Sequence, residues 1–386
     1  MMTQLNNLGS LILMFCMLIG VIDIQAQNSL AAPAIKISEV SNQDAAPQTQ
    51  ALYHNLKKYA SSHILFGQED ALAYGLNWRE DKDRSDIKDV SGSHPALIGW
   101  DLSKLGQTKW NIDTVDFRKM RKWMKKAYKM GCVNTISWHL DNPKTGGSTW
   151  DKTPAVASIL PGGEKHDFYL SRLDLVAKYI RKLRTGFLAS ERIPIIFRPF
   201  HEHTGSWFWW GKDHCTPEEY VQLWRFTADY LREKKGLNNL LFAYSPDGTE
   251  TEEEYMERYP GDDYVDIMGF DYYIHNNEVR KNPEELVKRV KVLVDLAERH
   301  DKIPAITESG FETIPDPDFW TDFLLSSFKS DPAVQKIAYF MVWRNARKDH
   351  HYGPYPGHQS AENFNLFQQD DMIWLQRDLP NLYKVY

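Results

Sequence analysis

The sequence has few cysteines, no excess of positive charge and no second region that resembles a separate core. Only three cysteines occur in 386 residues, and 46 Lys and Arg residues against 52 Asp and Glu residues give a formal net charge of −6. This mildly acidic balance argues against nucleic acid as a partner, because nucleic-acid-binding domains carry basic patches. No internal repeat or low-complexity domain interrupts the pattern, so the length favours one large domain such as a barrel.

The first 26 residues are typical of a signal peptide. The apolar stretch Leu11–Ile22 is too short to cross a bilayer comfortably, and Ile24-Gln25-Ala26 after it has the form of a cleavage site. No Lys or Arg precedes this stretch, so an uncleaved anchor is the alternative. We expect cleavage and an exported monomer without a membrane span, either periplasmic or secreted.

Export permits disulfides, but only Cys132 and Cys215 remain after the expected cleavage. Cys132 begins an apolar run, whereas Cys215 lies in a loop beyond the end of the next run. In a barrel these positions are at opposite ends, roughly 25 Å apart by strand rise. We therefore expect no disulfide.

Residues 27–50 are rich in Ala, Gln and Asn and indicate a leader or linker, whereas residues 51–386 alternate between strand-like and helical patterns. Amphipathic segments separate most of eight short apolar runs. Eight strands each followed by a helix predict a (β/α)8 TIM barrel that forms the catalytic domain. The runs are Ile64–Gln68, Ala96–Asp101, Cys132–His139, Ile193–Pro199, Leu240–Ser245, Val265–Tyr273, Ile303–Glu308 and Ile337–Trp343.

Helical patterns between the runs have recognisable faces and start signals. Phe117, Met120, Met124 and Tyr128 recur at helical spacing. The seven Lys and Arg residues from Arg118 to Lys129 are interpreted as the solvated face of that helix, with a polyanion site as the alternative. Thr216-Pro217-Glu218-Glu219 is a capping box and predicts another helix start.

Two glutamates follow strand-like runs that end at the same rim of the predicted barrel. Glu202 follows the fourth run and precedes an aromatic stretch, Trp207-Phe208-Trp209-Trp210, whereas Glu308 ends the seventh run. A pair of carboxyl groups at one rim suits glycoside hydrolysis, in which one protonates the leaving oxygen and the other attacks or activates water. Aromatic rings beside them suit the flat faces of sugars. The structural alternative is that either glutamate merely pairs with Arg198.

The segment Arg198-Pro199-Phe200-His201-Glu202, followed by Gly205 to Gly211, closely resembles glycoside hydrolase family 26, most of whose characterised members are endo-β-1,4-mannanases. The resemblance covers roughly residues 50–380. Supporting matches are Phe66–Glu69, His94–Ala96, Gly99–Asp101, Ser137–His139, Gly269–Asp271, Thr307-Glu308 and Trp343.

The resemblance implies a retaining hydrolase of β-mannan or manno-oligosaccharides, with Glu202 as acid/base and Glu308 as nucleophile. It implies no cofactor and no metal. Arg198 is our candidate for supporting the ionised Glu308, and Asp271 is a further supporting residue. The implied substrate-binding residues are His139, Trp150, His201, Trp207, Tyr273 (with its neighbour Tyr272 as the alternative) and Trp343, for which core packing is the alternative.

Strict alternation along the fourth strand places His201 on the opposite face from Arg198 and Glu202. A bulge or bend after Pro199 is therefore required if His201 is to reach the site.

Three alternatives remain at this stage. The same chemistry could serve xylan or mixed-linkage β-glucan, and a barrel that has lost catalysis could bind glycans without cleaving them. A metal-dependent hydrolase using His139, His201, His203 and His214 is the third, although His201-Glu202-His203 lacks the spacing of the His-Glu-x-x-His zinc motif. Endo or exo action depends on the loops 140–167 and 346–370.

Overall fold

The computed structural model describes residues 40–186, 190–275 and 283–385. Eight strands pair in parallel in the order β10-β9-β8-β7-β6-β5-β4-β1, and the pairing of β10 with β1 closes the sheet. The predicted (β/α)8 barrel is confirmed. The strands are β1 (Ile64–Glu69), β2 (Tyr74–Gly75), β3 (Trp78–Arg79), β4 (Leu97–Asp101), β5 (Val133–Trp138), β6 (Ile195–Pro199), β7 (Leu240–Tyr244), β8 (Ile267–Ile274), β9 (Ile303–Phe311), β10 (Tyr339–Val342) and β11 (Ile373–Trp374).

Strands β2 and β3 form a small antiparallel hairpin, and β11 pairs with β1 outside the ring. The α-helices surround the barrel, with π-helical turns at Tyr230–Lys234 and Phe319–Leu325. The helices are α1 (Pro47–Tyr59), α2 (Asp86–Ser91), α3 (Phe117–Lys129), α4 (Val156–Ile159), α5 (His166–Ile180), α6 (Pro217–Asp229), α7 (Glu252–Met256), α8 (Pro283–Arg299), α9 (Ser326–Ser330) and α10 (Ala361–Phe367).

The helix boundaries follow local sequence signals. Helix α6 begins with the predicted capping box, in which the Thr216 hydroxyl accepts from the Glu219 N–H and the Glu219 carboxylate accepts from the Thr216 N–H. The Asp116 side chain caps α3, whose apolar positions Phe117, Met120 and Met124 are buried as predicted. The cationic side chains of α3 lie on its outer face.

The barrel interior is filled by alternate residues of the strands. Leu65, Val133, Ile196 and Leu241 belong to this inner cluster, which also includes Leu52 of α1. Because α1 packs against the inner cluster, one end of the barrel is covered. The outward-facing strand residues form a second, larger core with the surrounding helices.

The folded part of the chain begins before the predicted boundary at residue 51. The Ser41 N–H donates to Asp266 Oδ1 over 2.7 Å, the Ala46 N–H donates to the Asn238 carbonyl over 2.7 Å, and α1 starts at Pro47. The end of the predicted leader is thus attached to the barrel. Its small residues and Pro47 suit the start of a helix. The predicted signal peptide and the leader up to residue 39 lie outside the described residues.

Cys132 and Cys215 are both free thiols, and both are buried. Within the ranges described, no helix combines the length and the apolar character needed to cross a bilayer.

Candidate active site

A cavity of about 570 Å³ opens at the carboxyl ends of the barrel strands and contains both predicted carboxyl groups. This is the rim at which barrel enzymes place their chemistry. The loops 140–167 and 346–370 contribute Trp150 and Tyr352 to it, and His275 follows the end of β8. The lining residues are His139, Trp150, Glu202, Trp207, Phe208, Asp247, Tyr272, Tyr273, His275, Glu285, Arg289, Glu308, Trp343 and Tyr352.

The bend that the sequence requires after β6 is present. Strand β6 ends at Pro199, and both Phe200 (φ 47°) and Glu202 (φ 54°) have left-handed backbone conformations. Such conformations cost non-glycine residues about 1–3 kcal/mol each and persist only where the surroundings impose them. As a result Glu202 lines the cavity, and the His201 ring lies beside His139.

Both oxygens of the Glu308 carboxylate accept hydrogen bonds from side chains that the sequence singled out. Arg198, which is 1% exposed, donates to Oε2, and the Tyr273 hydroxyl donates to Oε1 over 2.6 Å. Burial, followed by the charges of Glu308 and Glu202, raises the pKa of Tyr273 well above its usual value, so it remains a donor. These donors stabilise the ionised form of Glu308.

Arg198 bridges Glu308 and a second buried carboxylate, Asp271. Its other terminal nitrogen donates to Asp271 Oδ2 over 2.6 Å, while the Ser245 and Thr307 hydroxyls donate to Oδ1 over 2.7 and 2.9 Å. Burial alone would lower the pKa of Arg198, but the charges of Asp271 and Glu308 outweigh this effect. The pKa is therefore raised above its usual value, and the guanidinium stays charged. Asp271 therefore fixes Arg198 beneath Glu308.

Glu202 has a different environment, which favours its protonated form. Enclosure, followed by the charges of Glu308 and Asp271, raises its pKa well above the usual range. A single side-chain donor, the Trp207 indole N–H at 2.7 Å from Oε2, opposes this rise. Glu202 and Glu308 therefore differ in their surroundings, because a guanidinium and a phenol donate to Glu308 whereas an indole donates to Glu202.

His139 and His201 form a hydrogen-bonded chain with Asp101. His139 Nδ1 lies 2.8 Å from Asp101 Oδ2, and its Nε2 lies 3.2 Å from Nε2 of His201. Burial lowers the pKa of His139, but Asp101 raises it and the net shift is upward. Burial and the charge of Arg198 hold the pKa of His201 well below its usual value. We assign the shared proton to His139, which lines the cavity, whereas His201 lies behind it and is 1% exposed.

Three tryptophans line the cavity on different sides. Trp343 and Trp150 lie beside the His139 ring, with ring centroids 6.3 and 5.9 Å away, and Trp150 is half exposed. The ring of Trp207 lies over Gly205, where a Cβ atom would approach it to 2.2 Å. Trp209 and Trp210 of the same aromatic run are completely buried. They pack behind the residues that line the cavity and do not face it themselves.

The comparisons with known proteins agree with this geometry. Residues 41–349 match the model of glycosyl hydrolase family 26. The chain belongs to this family.

A family 26 β-mannanase from Bacteroides ovatus has a similar structure, with a TM-score of 0.83 and 44% identity over 88% of this chain and 98% of that one. Among curated proteins, a mannan endo-1,4-β-mannosidase from Bifidobacterium adolescentis is 32% identical over 323 residues, 79% of this chain. A second, from Thermothelomyces thermophilus, is 27% identical over 72% of this chain. The matched part covers only 32% and 53% of the lengths of these two curated relatives.

The resemblance to family 26 did not indicate several of the residues that line the cavity. Asp247, His275, Tyr352 and the pair Glu285–Arg289 all border it, and Arg289 donates to Glu285 Oε1 over 2.7 Å. Position could have indicated Asp247, since it lies three residues after β7. The others come from loops and from α8, whose approach to the site depends on tertiary packing.

In this family 26 barrel His139 and His201 are neighbours, but the other two histidines considered for zinc, His203 and His214, contact other groups. His203 contacts the Tyr220 and Tyr244 hydroxyls, and His214 lies 3.0 Å from the Ser206 carbonyl oxygen. Over the described part of the chain, no three His, Cys, Asp or Glu side chains are grouped so that they could hold a metal ion.

Proposed function

We propose that this protein is a retaining glycoside hydrolase that cleaves β-1,4-mannosidic linkages in mannan, glucomannan or galactomannan. The observation that carries the proposal is the pair of carboxyl groups facing one cavity in opposite protonation environments. Glu308 accepts from Arg198 and Tyr273, whereas enclosure and negative neighbours favour the proton on Glu202. The names of the relatives, a β-mannanase and two mannan endo-1,4-β-mannosidases, support the choice of mannan as substrate.

In the first step, a Glu308 oxygen attacks the anomeric carbon and the bond to the leaving oxygen breaks. Glu202 transfers its proton to that oxygen, so the shortened chain leaves as an alcohol and a glycosyl–Glu308 ester forms. In the second step, the ionised Glu202 removes a proton from water, whose oxygen displaces Glu308 from the same carbon. Two inversions give net retention, and both carboxyl groups return to their starting states.

The remaining cavity residues have proposed roles in holding the sugar. Trp343, Trp207 and Trp150 offer apolar faces for the sugar rings, and His139 lines the same cavity with its two ring nitrogens facing Asp101 and His201. His201 acts through His139. We also propose, on the N-terminal apolar stretch alone, that the protein is exported.

Product release from four polymers tests the function: linear mannan, galactomannan, xylan and mixed-linkage β-glucan, each incubated with and without EDTA. Wild type should release short manno-oligosaccharides, whose sizes separate endo from exo action, and Glu308→Ala should release none while still binding mannan. Hydrolysis confined to xylan or glucan would replace the substrate but keep the chemistry. Binding to a polymer without any hydrolysis would assign the chain to the glycan-binding class, and loss of activity in EDTA would favour a metal-dependent hydrolase.

A further inference from the structure

We propose that Tyr220 and His203 are positioning residues that hold the acid/base Glu202 in place through the backbone of the bend after β6. The inference rests on the proposed function, because it concerns the acid/base role of Glu202. Neither residue lines the cavity. Their effect on catalysis would therefore pass entirely through the main chain of residues 200–202.

The bend needs to be held because two of its three residues have unfavourable backbone conformations. Phe200 and Glu202 have φ values of 47° and 54°, a region in which L side chains are disfavoured. If released, Phe200 would relax towards an ordinary conformation and rotate the following residues. The Glu202 carboxyl would then move away from the position where it protonates the leaving oxygen.

Polar groups from three separate segments hold the bend. The Tyr220 hydroxyl, on α6, donates to the Phe200 carbonyl over 2.8 Å. The Trp210 indole donates to the His201 carbonyl over 2.8 Å, and the Glu202 N–H donates to the Ser245 carbonyl over 2.7 Å. Each residue of the bend is thus fixed by one contact of good length.

His203 determines where the Tyr220 proton goes. The Tyr220 hydroxyl has a single proton, which we place on the Phe200 carbonyl because a carbonyl can only accept. His203 Nδ1 lies 3.0 Å from the same hydroxyl oxygen, and in this arrangement it carries a hydrogen and donates to that oxygen. The other tautomer would draw the Tyr220 proton towards Nδ1 and away from Phe200.

The surroundings of His203 are consistent with a single ring proton on Nδ1. His203 is completely buried, and burial together with the charge of Arg258 keeps its pKa well below the usual value, so the ring is neutral. Its Nε2 lies 2.9 Å from the Tyr244 hydroxyl, whose single proton also has the Tyr255 carbonyl as an acceptor at 2.9 Å, so the Nδ1–H tautomer requires the Tyr244 proton to point at Nε2. The arrangement therefore links His203, Tyr220 and the Phe200 carbonyl in one direction of hydrogen bonding.

Tyr220→Phe tests the proposal, because it removes the hydroxyl while keeping the buried ring. The readout is the dependence of rate on the leaving group, compared between mannotetraose and 2,4-dinitrophenyl β-mannobioside. The sugar leaving group needs a proton from Glu202, whereas dinitrophenolate does not. A displaced acid should reduce kcat on mannotetraose by on the order of 100-fold. Formation of the glycosyl-enzyme from the aryl substrate should change less than about threefold, since it needs no acid.

Tyr179→Phe is the matched control. Tyr179 is also buried and its hydroxyl donates to a backbone carbonyl, that of Phe117 at 3.1 Å, but it lies away from the bend. It should lose similar stability and keep equal rates on both substrates. If Tyr220→Phe behaves like this control, or loses both activities equally, the positioning role is wrong.

Two substitutions of His203 test the direction of the hydrogen bonds. The Asn amide nitrogen can take the place of Nδ1–H and donate to Tyr220, whereas the Gln amide reaches the place of Nε2. His203→Asn should therefore keep more mannotetraose activity than His203→Gln, with aryl-substrate activity alike in both. The reverse order would overturn the assigned tautomer.

Glu202→Ala separates this inference from the proposed function. It should lose mannotetraose hydrolysis, keep formation of the glycosyl-enzyme from the aryl substrate, and regain turnover of that substrate when azide replaces the base-assisted water. If wild type fails to cleave mannotetraose, or Glu202→Ala shows no such pattern, the proposed function fails. If both behave as stated and Tyr220→Phe shows no leaving-group dependence, only the positioning role fails.

Discussion

At the scale of single residues, the site depends on two glutamates whose environments differ in the number and charge of their partners. Glu308 contacts a guanidinium and a phenol, and Glu202 contacts one indole in a cavity with other carboxylates nearby. The sequence identified both glutamates and also Arg198, because all three lie at or near the ends of strand-like runs within recognisable motifs. It did not reveal the Asp101–His139–His201 chain, since hydrogen bonds between residues 38 and 62 positions apart leave no local pattern.

The raised pKa of Glu202 predicts the pH dependence of the reaction. Glu202 must be protonated to act, so kcat/KM should fall as the pH rises through this pKa, well above the usual carboxyl value of about 4.3. The indole N–H of Trp207 favours the ionised form, so Trp207→Phe should raise the pKa and move this limb of the profile to higher pH. Trp150→Phe, which shrinks a cavity ring that does not bond to Glu202, should raise KM without moving the limb. An unmoved limb in Trp207→Phe would contradict the assignment of Glu202 as the acid.

The bridge made by Arg198 predicts a large loss of both stability and activity on truncation. Arg198→Ala leaves Asp271 and Glu308 buried together without a cation, which should cost about 3–5 kcal/mol of unfolding free energy. Arg198→Lys keeps the charge but cannot reach both carboxylates in the same geometry. Its stability and its activity should therefore fall between those of the wild type and those of Arg198→Ala. Denaturant unfolding and kcat on mannan measure these effects. If Arg198→Ala turned over substrate at close to the wild-type rate, the supporting role would be wrong.

At the scale of elements, sequence patterns located every barrel strand to within about two residues at its start. The predicted run Cys132–His139 corresponds to β5 (Val133–Trp138), and Val265–Tyr273 corresponds to β8 (Ile267–Ile274). These strands were predictable because buried parallel strands are short, continuous apolar runs. The sequence showed that a bend after Pro199 is required if His201 is to reach the site. It could not show that α6 stabilises this bend, because that depends on how the helix packs.

The capping box of α6 gives an element-scale prediction. Thr216→Ala removes the side-chain acceptor of the Glu219 N–H and should lower the free energy of unfolding by about 1 kcal/mol. Because Thr216 lies at the exposed start of the helix, kcat on mannan should stay close to wild type. Thr251→Ala, at the start of the shorter α7, is the matched cap control. An unchanged unfolding midpoint in Thr216→Ala would show that the cap contributes nothing measurable.

At the scale of the whole molecule, residues 40–50 belong to the folded barrel although composition predicted a leader. The weak periodicity of this segment gives no sign of its attachment. The attachment comes from two hydrogen bonds donated by backbone N–H groups and from the burial of Val40 and Ala45. Its remote contacts, to Asn238 and Asp266, could not be seen in sequence.

A truncation series tests this attachment. A chain that begins at Val40 is compared with a chain that begins at Ala51. The chain that begins at Ala51 should unfold at a lower temperature, because it lacks both backbone contacts and the first turn of α1. Equal melting temperatures for the two chains would show that residues 40–50 do not stabilise the barrel.

The most direct test of the account is the anomeric form of the first product of mannopentaose hydrolysis, followed by proton NMR before mutarotation, with Glu308→Ala as control. The account predicts that wild type releases the β-anomer first and that Glu308→Ala releases no product. An α-anomer as the first product, or continued hydrolysis by Glu308→Ala, would contradict a double displacement through Glu308.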